Sequence, residues 1–302
     1  MKALFFAQRL FTAKKKSPLC AINHGMKEDN RFFINPFCFL GACMKKIALS
    51  ALVLLACASS TAFAAESLRF GVDPTFPPFE SKAPDGSLQG FDIQMGNAIC
   101  HQMKVKCVWV QTGYDGIIPA LQARKFDAIL SAMAMTDKRR QQVAFTDMLY
   151  NTPSALVTKK DSGLKPDAES LKGKSVGVAQ GTTQETYAKA VWAGTGINVV
   201  SYPNQEEIWP DLASGRVDAT LTSAASAETG FLKSPQGKDY QISGDTLYDK
   251  KYFGEGVGIG LRKDDRARVE KINAALAELH KNGTYERLAK KYFSFDVYHI
   301  QK

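Results

Sequence analysis

The 302-residue sequence predicts an α/β protein with parallel sheets arranged in two similar halves. Three observations lead there. Strand-like and helix-like segments alternate along most of the chain, the pattern of parallel sheets covered by helices. Residues 121–131 (LQARKFDAILS) are echoed by 212–222 (LASGRVDATLT), each reading as helix, basic turn, strand, then small hydroxyl residues. The composition is 45% hydrophobic and 23% charged, with 23 Gly and 12 Pro, which excludes collagen-like, mucin-like and wholly disordered chains.

The elements follow in order. Residues 68–72 read as the first strand. A helical face covers 90–103, with apolar residues at Phe91, Met95, Ala98, Ile99 and Met103. A strand at 107–110, a helix at 114–123 and a strand at 127–130 come next, then a short charged helix at 136–143. Residues 154–158 are extended and 175–178 form a strand. Thr182, Thr183, Gln184 and Glu185 spell a capping box that opens a helix through 193. A strand at 199–202, a helix from Asn204 that Pro210 should kink, and a strand at 217–221 complete the second half. Residues 256–262 read as a strand, 264–281 as a long helix closed by Gly283, and 284–292 as the last helix. In open sheets of this kind ligands bind beyond the carboxyl ends of the strands. If the two halves face each other, Ser131 and residues 222–223 line one cleft from opposite sides.

The formal charge of +9 is unevenly placed. Up to Ala64 there are 9 Lys/Arg against 2 Asp/Glu, and the remainder has 30 against 28. The basic excess lies in a segment read as removable, so nucleic-acid binding is excluded. That segment, 44–64, has Lys45 and Lys46, an apolar run at 47–58 and the ending Ala62, Phe63, Ala64, the three parts of a secretory signal. Its apolar run is too short to span a bilayer. Residues 1–43 are read as an extension ahead of a true start at Met44. Residues 54–57 (LLAC) also resemble a lipoprotein cleavage box, and lipid on Cys57 would tether the chain. Soluble export to the periplasm is the reading taken, because 62–64 is the cleaner cleavage site.

Beyond Ala64 the cysteines are Cys100 and Cys107. In an oxidising compartment they would form one disulfide, clipping the end of a helix to the next strand. His24, His101, His280 and His299 are scattered and no Cys-x-x-Cys spacing occurs, so no metal and no cofactor are expected.

Segments 71–80 (GVDPTFPPFE), 90–93 (GFDI), 136–139 (TDKR), 145–147 (FTD), 173–178 (GKSVGV), 180–185 (QGTTQE) and 283–293 (GTYERLAKKYF) occur in this order. Together they resemble the polar amino-acid family of periplasmic solute-binding proteins, bacterial extracellular solute-binding family 3, on the side of its histidine-binding and lysine/arginine/ornithine-binding members. The likeness spans 66–299. It implies a two-lobed periplasmic binding protein fold, with two doubly wound sheets joined by two crossing hinge strands. Lobe one would comprise 66–152 and 256–302, and lobe two 153–255. The implied function is a monomeric receptor that closes on a cationic amino-acid-like solute and delivers it to an ABC permease in the inner membrane. The alternatives are an enzyme on the same scaffold, similar to cyclohexadienyl dehydratase, or a sensory binding protein. An enzyme needs an acid or base in the cleft, where Asp73 and Glu255 are the candidates.

The resemblance implies that Arg139 grips the ligand carboxylate, which a guanidinium meets with two parallel hydrogen bonds. From its neighbours Lys138 and Arg140 alone it could equally be a surface arginine. Thr182 and Thr183 sit at a helix start, where N–H groups and the helix dipole attract an anion. The resemblance places Thr183 on the same carboxylate, while Thr182 can simply cap its own helix. Asp73, Phe76 and Tyr114 are implied around the ligand side chain, since a carboxylate beside two aromatic faces suits a guanidinium or ammonium group. Phe76, among prolines, also suits core packing. Gln184 adds a polar contact, and Gln180 joins the same set. The family's aspartate for the ligand α-ammonium is Ser223 here, and the positions of its ammonium-binding serines after Ser131 hold Ala132 and Ala134. A buried ammonium without an anionic partner is costly. The ligand therefore lacks a free α-ammonium, or meets a new carboxylate such as Glu255, or is arginine or lysine held less tightly.

Overall fold

The computed structural model describes residues 66–298. The signal-like segment 44–64 with Cys57, and residues 1–43, lie outside the described residues.

Two five-stranded sheets carry the fold. The first has the order β5-β1-β6-β13-β7, formed by β1 (Ser67–Val72), β5 (Lys106–Gln111), β6 (Ala128–Ile129), β7 (Ala144–Phe145) and β13 (Gly260–Leu261). The second has the order β10-β9-β11-β8-β12, formed by β8 (Ser154–Lys159), β9 (Ser175–Ala179), β10 (Asn198–Tyr202), β11 (Ala219–Ser223) and β12 (Tyr240–Leu247). A small sheet of β2 (Thr75–Phe76), β3 (Glu80–Lys82) and β4 (Leu88–Gln89) leads into helix α1 (Phe91–Met103).

The sheets are mixed rather than wholly parallel. β1 runs parallel to β5 and β6, and β9 parallel to β10 and β11. The strands that follow a crossing between sheets are antiparallel to their neighbours: β13 to β6 and β7, and β8 to β11 and β12. The chain leaves the first sheet after β7 and returns to it as β13. Tyr150 on the outward crossing and Val257 on the return form an antiparallel bridge, so the two crossings run side by side.

Apolar periodicity explains the layers. In β8, Leu156 joins one buried cluster with Val176, Val178, Trp192 and Leu221, while the adjacent Val157 joins another with Ile208, Trp209, Leu212 and Phe231. Both faces of that strand are covered, so it reads as a continuous apolar run. Trp209 stacks on Phe231 with ring centroids 4.7 Å apart. On the first sheet, Phe91 meets Tyr150, Tyr285 and Phe293 edge-on. Burying a side chain of this size contributes about 1.5–3 kcal/mol. Cys100 at the end of α1 and Cys107 in β5 form a disulfide, as expected from sequence.

The internal echo has a physical basis. Asp127, just before β6, accepts the Arg69 backbone N–H at 3.0 Å. Asp218, just before β11, accepts the Ser175 N–H at 2.9 Å. Each carboxylate thus ties its own strand to the start of the parallel strand beside it, and each pairs with a base, Arg69 or Lys174.

Several boundaries differ from expectation. The helix expected at 114–123 begins with a 3-10 turn, Tyr114–Gly116, before α2 (Ile117–Gln122). That expected at 136–143 is the single turn α3 (Asp137–Arg140), capped by Thr136. The capping-box helix is α4 (Thr183–Tyr187), widening into a π turn, Ala188–Trp192. Helix α5 (Gln205–Ser214) runs through Pro210. Short helices α6 (Ala224–Ala227) and α7 (Lys250–Phe253) were not expected. Helices α8 (Arg266–Lys281) and α9 (Thr284–Tyr292) close the fold, with Gly283 between them in a left-handed conformation. Among the described residues no helix is long and apolar enough to cross a membrane.

Candidate functional site

The carboxyl ends of β1, β6, β9, β10 and β11 converge on one cleft between the sheets. Asp73 follows β1, Ser131 follows β6, Thr182 and Thr183 follow β9, Asn204 follows β10, and Ser223 ends β11; all line the cleft.

Arg139 is 9% exposed and reaches both sides. Its Nη1 donates to the Ala134 carbonyl at 3.0 Å, and its Nη2 donates across the cleft to the Gly181 carbonyl at 2.9 Å. The Thr136 hydroxyl accepts the Arg139 backbone N–H at 3.3 Å, which fixes the turn that aims the side chain. The guanidinium lies 5.5 Å from the centroid of the Tyr114 ring. Arg139 is therefore a cleft residue rather than one of a solvated basic trio.

On the opposite wall Thr182 caps α4, its hydroxyl oxygen accepting the Glu185 N–H at 3.1 Å. Glu185 in turn accepts the Gly181 N–H at 2.8 Å. These bonds leave the Thr183 and Gln184 amides in the first turn, where a helix offers them no intrahelical acceptor. Gln184 donates from Nε2 to the Ser154 hydroxyl at 2.9 Å. Gln180 is not among the cleft-lining residues; its N–H donates to the Tyr202 carbonyl at 2.8 Å and holds the turn.

Asp73 accepts the Thr75 hydroxyl at 2.9 Å and the Tyr114 N–H at 2.9 Å. Burial raises its carboxyl above the ordinary range, against those two bonds, which pull it down. Tyr114 thus joins the two ends that sequence had kept apart: its N–H holds Asp73 and its ring faces Arg139. Burial raises the Tyr114 phenol, so it stays neutral. Phe76 lines the cleft and also stacks on Phe79 at 5.7 Å.

At Ser223 the cleft wall offers a hydroxyl rather than a carboxylate. The Ser223 hydroxyl shares a hydrogen bond with Thr152 at 2.9 Å. Ala132 and Ala134 line the cleft with methyl groups, and Ala132 adopts a left-handed φ of 45°. Glu255 does not replace the missing carboxylate: it is half-exposed, pairs with Arg140 at 3.7 Å and with Lys250, and is not among the lining residues.

Sequence reasoning missed Thr152, Ser154, Asn204, Gln205 and Glu80. Asn204 and Gln205 were open to the strand-end rule applied to β10. Glu80 was not, because it enters from the small β2-β3-β4 sheet, whose strands are too short to show a period. Among the described residues no group of three or more His, Cys, Asp or Glu could hold a metal ion.

The arrangement suits a solute with an anion at one end and a cation at the other, with aromatic faces between. Residues 68–295 match the model of the bacterial extracellular solute-binding proteins, family 3. The chain is 51% identical over 258 residues to the lysine/arginine/ornithine-binding periplasmic protein of Escherichia coli K12, covering 84% of this chain and 99% of that one. The histidine-binding periplasmic protein of the same strain is 50% identical over the same coverage. A solved Salmonella typhimurium periplasmic binding protein described as highly specific for arginine superposes with a TM-score of 0.71 at 34% identity, over 76% of this chain and all of that one.

Proposed function

Because this chain belongs to the bacterial extracellular solute-binding proteins of family 3, we propose that it is the exported receptor of an ABC transporter for a cationic amino acid of the arginine, lysine, ornithine or histidine type, or for a derivative without a free α-ammonium. It works in the periplasm and presents its closed form to an inner-membrane permease. It is a binding module, in keeping with relatives that are binding proteins rather than enzymes.

One observation carries the reading: Arg139 extends from the first sheet to the Gly181 carbonyl of the second. An anion in the cleft meets the guanidinium from one side and the amides of Thr183 and Gln184 from the other. Two parallel charge-assisted bonds to a carboxylate then join the halves. Binding and closure are one event, because the anion's partners come from both sheets. The cationic end lies along Asp73, Phe76 and Tyr114.

Ser223, Ala132 and Ala134 refine the ligand. At Ser223 a free α-ammonium beside the gripped carboxylate would meet a hydroxyl pair in place of a carboxylate, and at Ala132 and Ala134 two methyl groups in place of acceptors, so it would lose water for weaker partners at those positions. An N-substituted amino acid of the acyl or opine type, or a des-amino guanidino acid, avoids that cost. Calorimetric titration with L-arginine, des-amino arginine and an N-substituted arginine tests this. The last two should bind at least as tightly as L-arginine. A preference for L-arginine of about 100-fold, roughly 2.8 kcal/mol, contradicts the role given to Ser223.

A further inference from the structure

Behind the Ser131 hydroxyl lie two carboxyl groups that the ligand contacts above do not use. Glu80 is 1% exposed, lines the cleft, and accepts the Ser131 hydroxyl on Oε1 at 3.0 Å. That same hydroxyl oxygen accepts the Asp73 backbone N–H at 3.0 Å, so Glu80 and Asp73 are one serine apart. Asp92, fully buried in the first turn of α1, accepts the Ala132 N–H on Oδ2 at 2.8 Å and so holds the left-handed turn in the cleft floor. Each carboxyl has one oxygen left over: among the described residues Glu80 Oε2 and Asp92 Oδ1 are buried without a hydrogen bond of ordinary geometry. The two groups interact directly, with the buried Tyr150 hydroxyl beside Asp92 as a neutral donor that pulls its carboxyl down, and a single proton between the carboxyls supplies the donor that Glu80 Oε2 lacks. Two interacting carboxyl groups cut off from water cannot both ionise cheaply. In keeping with this, burial and then the neighbouring Asp92 push Glu80 well up, and burial raises Asp92 to about 7.

We propose that the Glu80–Asp92 pair holds one proton in the ligand-free protein and releases it when a cationic ligand group settles beside Asp73 and Glu80, so that ligand uptake is coupled to proton release. The inference rests on the reading that the cleft takes a cation at Asp73. A positive charge next to Glu80 favours its ionised form strongly in a water-poor site. The O–H bond of the pair breaks, the proton passes to a solvent base, and the carboxylate keeps the electron pair as counter-charge to the ligand. The titratable groups around the pair are Asp73 after β1, Tyr114 in the 3-10 turn and Tyr150 on the outward crossing. Both phenols are raised by burial and stay neutral. Lys82 and Asp115 act on Asp73, and Arg139 acts on Tyr114.

The test is calorimetry of L-arginine and an N-substituted arginine into the whole protein near neutral pH, in buffers of different ionisation enthalpy. The expected result is release of up to about one proton per ligand, with affinity rising as pH increases through the neutral range. In Glu80→Gln, whose amide can still accept from Ser131 and donate to Asp92, binding weakens and proton release disappears. If that variant does not fold, the infrared difference spectrum of the wild type decides, because the protonated-carboxyl band must be lost on ligand addition. A binding enthalpy independent of buffer, an unchanged carboxyl band, or release that persists in Glu80→Gln overturns the coupling and leaves the receptor reading intact. If neither ligand binds, the receptor reading falls and the coupling with it.

Discussion

Arg139 gathers four constraints on one side chain: burial, a backbone bond from its own segment, a bond across the cleft and an aromatic face. Lysine carries the charge but presents no planar fork. Arg139→Lys is therefore expected to weaken ligand binding by about 2–5 kcal/mol, the range for losing a buried charge-pair contact, while the melting curve stays cooperative. Calorimetry beside a thermal melt checks this, and an unchanged affinity would remove Arg139 from the site. Arg139 and Asp73 entered the expected site through segments 136–139 and 71–80, which carry the family resemblance; from its neighbours Lys138 and Arg140 alone, Arg139 read equally as a surface arginine. Glu80 ends segment 71–80 but carried no visible role, since its partner Asp92 is 12 residues on in sequence and meets it only through tertiary packing. Glu255 misled for the opposite reason: it adjoins the return crossing, yet its side chain turns outward to Arg140 and Lys250.

Among elements, the turn from β9 into α4 depends most on one residue type. Gly181 has φ +74°, and a Cβ there would stand 2.8 Å from the Asp115 Cα on the first sheet's side of the cleft. A left-handed backbone costs a non-glycine residue about 1–2 kcal/mol, and the contact adds a push against closure. Gly181→Ala should thus lower ligand-free melting by a few degrees through the backbone strain, and lower ligand affinity at least tenfold, about 1.4 kcal/mol, through the contact, as paired melting and calorimetry would report. The capping box at this turn was plain in sequence because its hydroxyl and carboxylate lie three residues apart. Strand β12 was not, because Ser243, Gly244 and Asp245 interrupt its apolar rhythm where the register shifts against β8. The return crossing was read as one strand, yet only Gly260–Leu261 pair regularly and Val257 makes isolated bridges. Its residues follow the path between two sheets rather than one ladder, which no local period encodes.

For the whole molecule, the buried carboxyl pair sets a pH dependence of stability. A carboxyl raised in the folded state stabilises fully below its unfolded value, and that contribution is lost as pH rises through its folded value. For Glu80 and Asp92 the window runs from the ordinary carboxylate range up to about 7 and above. Asp127 and Glu185 act on the acid side: burial raises them, but Arg69 and Lys189 with their other donors outweigh it and leave both lowered. Their contribution is complete above the ordinary carboxylate range and is lost as pH falls through their lowered values. The ligand-free protein should therefore melt several degrees lower at about pH 8 than at about pH 5, given about 2–4 °C per kcal/mol for a chain of this size. Glu80→Gln should flatten that slope. A melting temperature that rises over this interval would mean the pair does not share a proton.

All of this depends on two sheets meeting over one anionic group, with Arg139 on one side and the amides of Thr183 and Gln184 on the other. The most direct measurement is a calorimetric comparison of a guanidino carboxylic acid, arginine or its N-substituted form, with agmatine, which keeps the guanidinium and lacks the carboxylate. Loss of at least about 100-fold in affinity for agmatine, roughly 2.8 kcal/mol, is the predicted result. Agmatine binding as tightly as the acid would contradict the account, because the halves would then close without the anion assigned to join them.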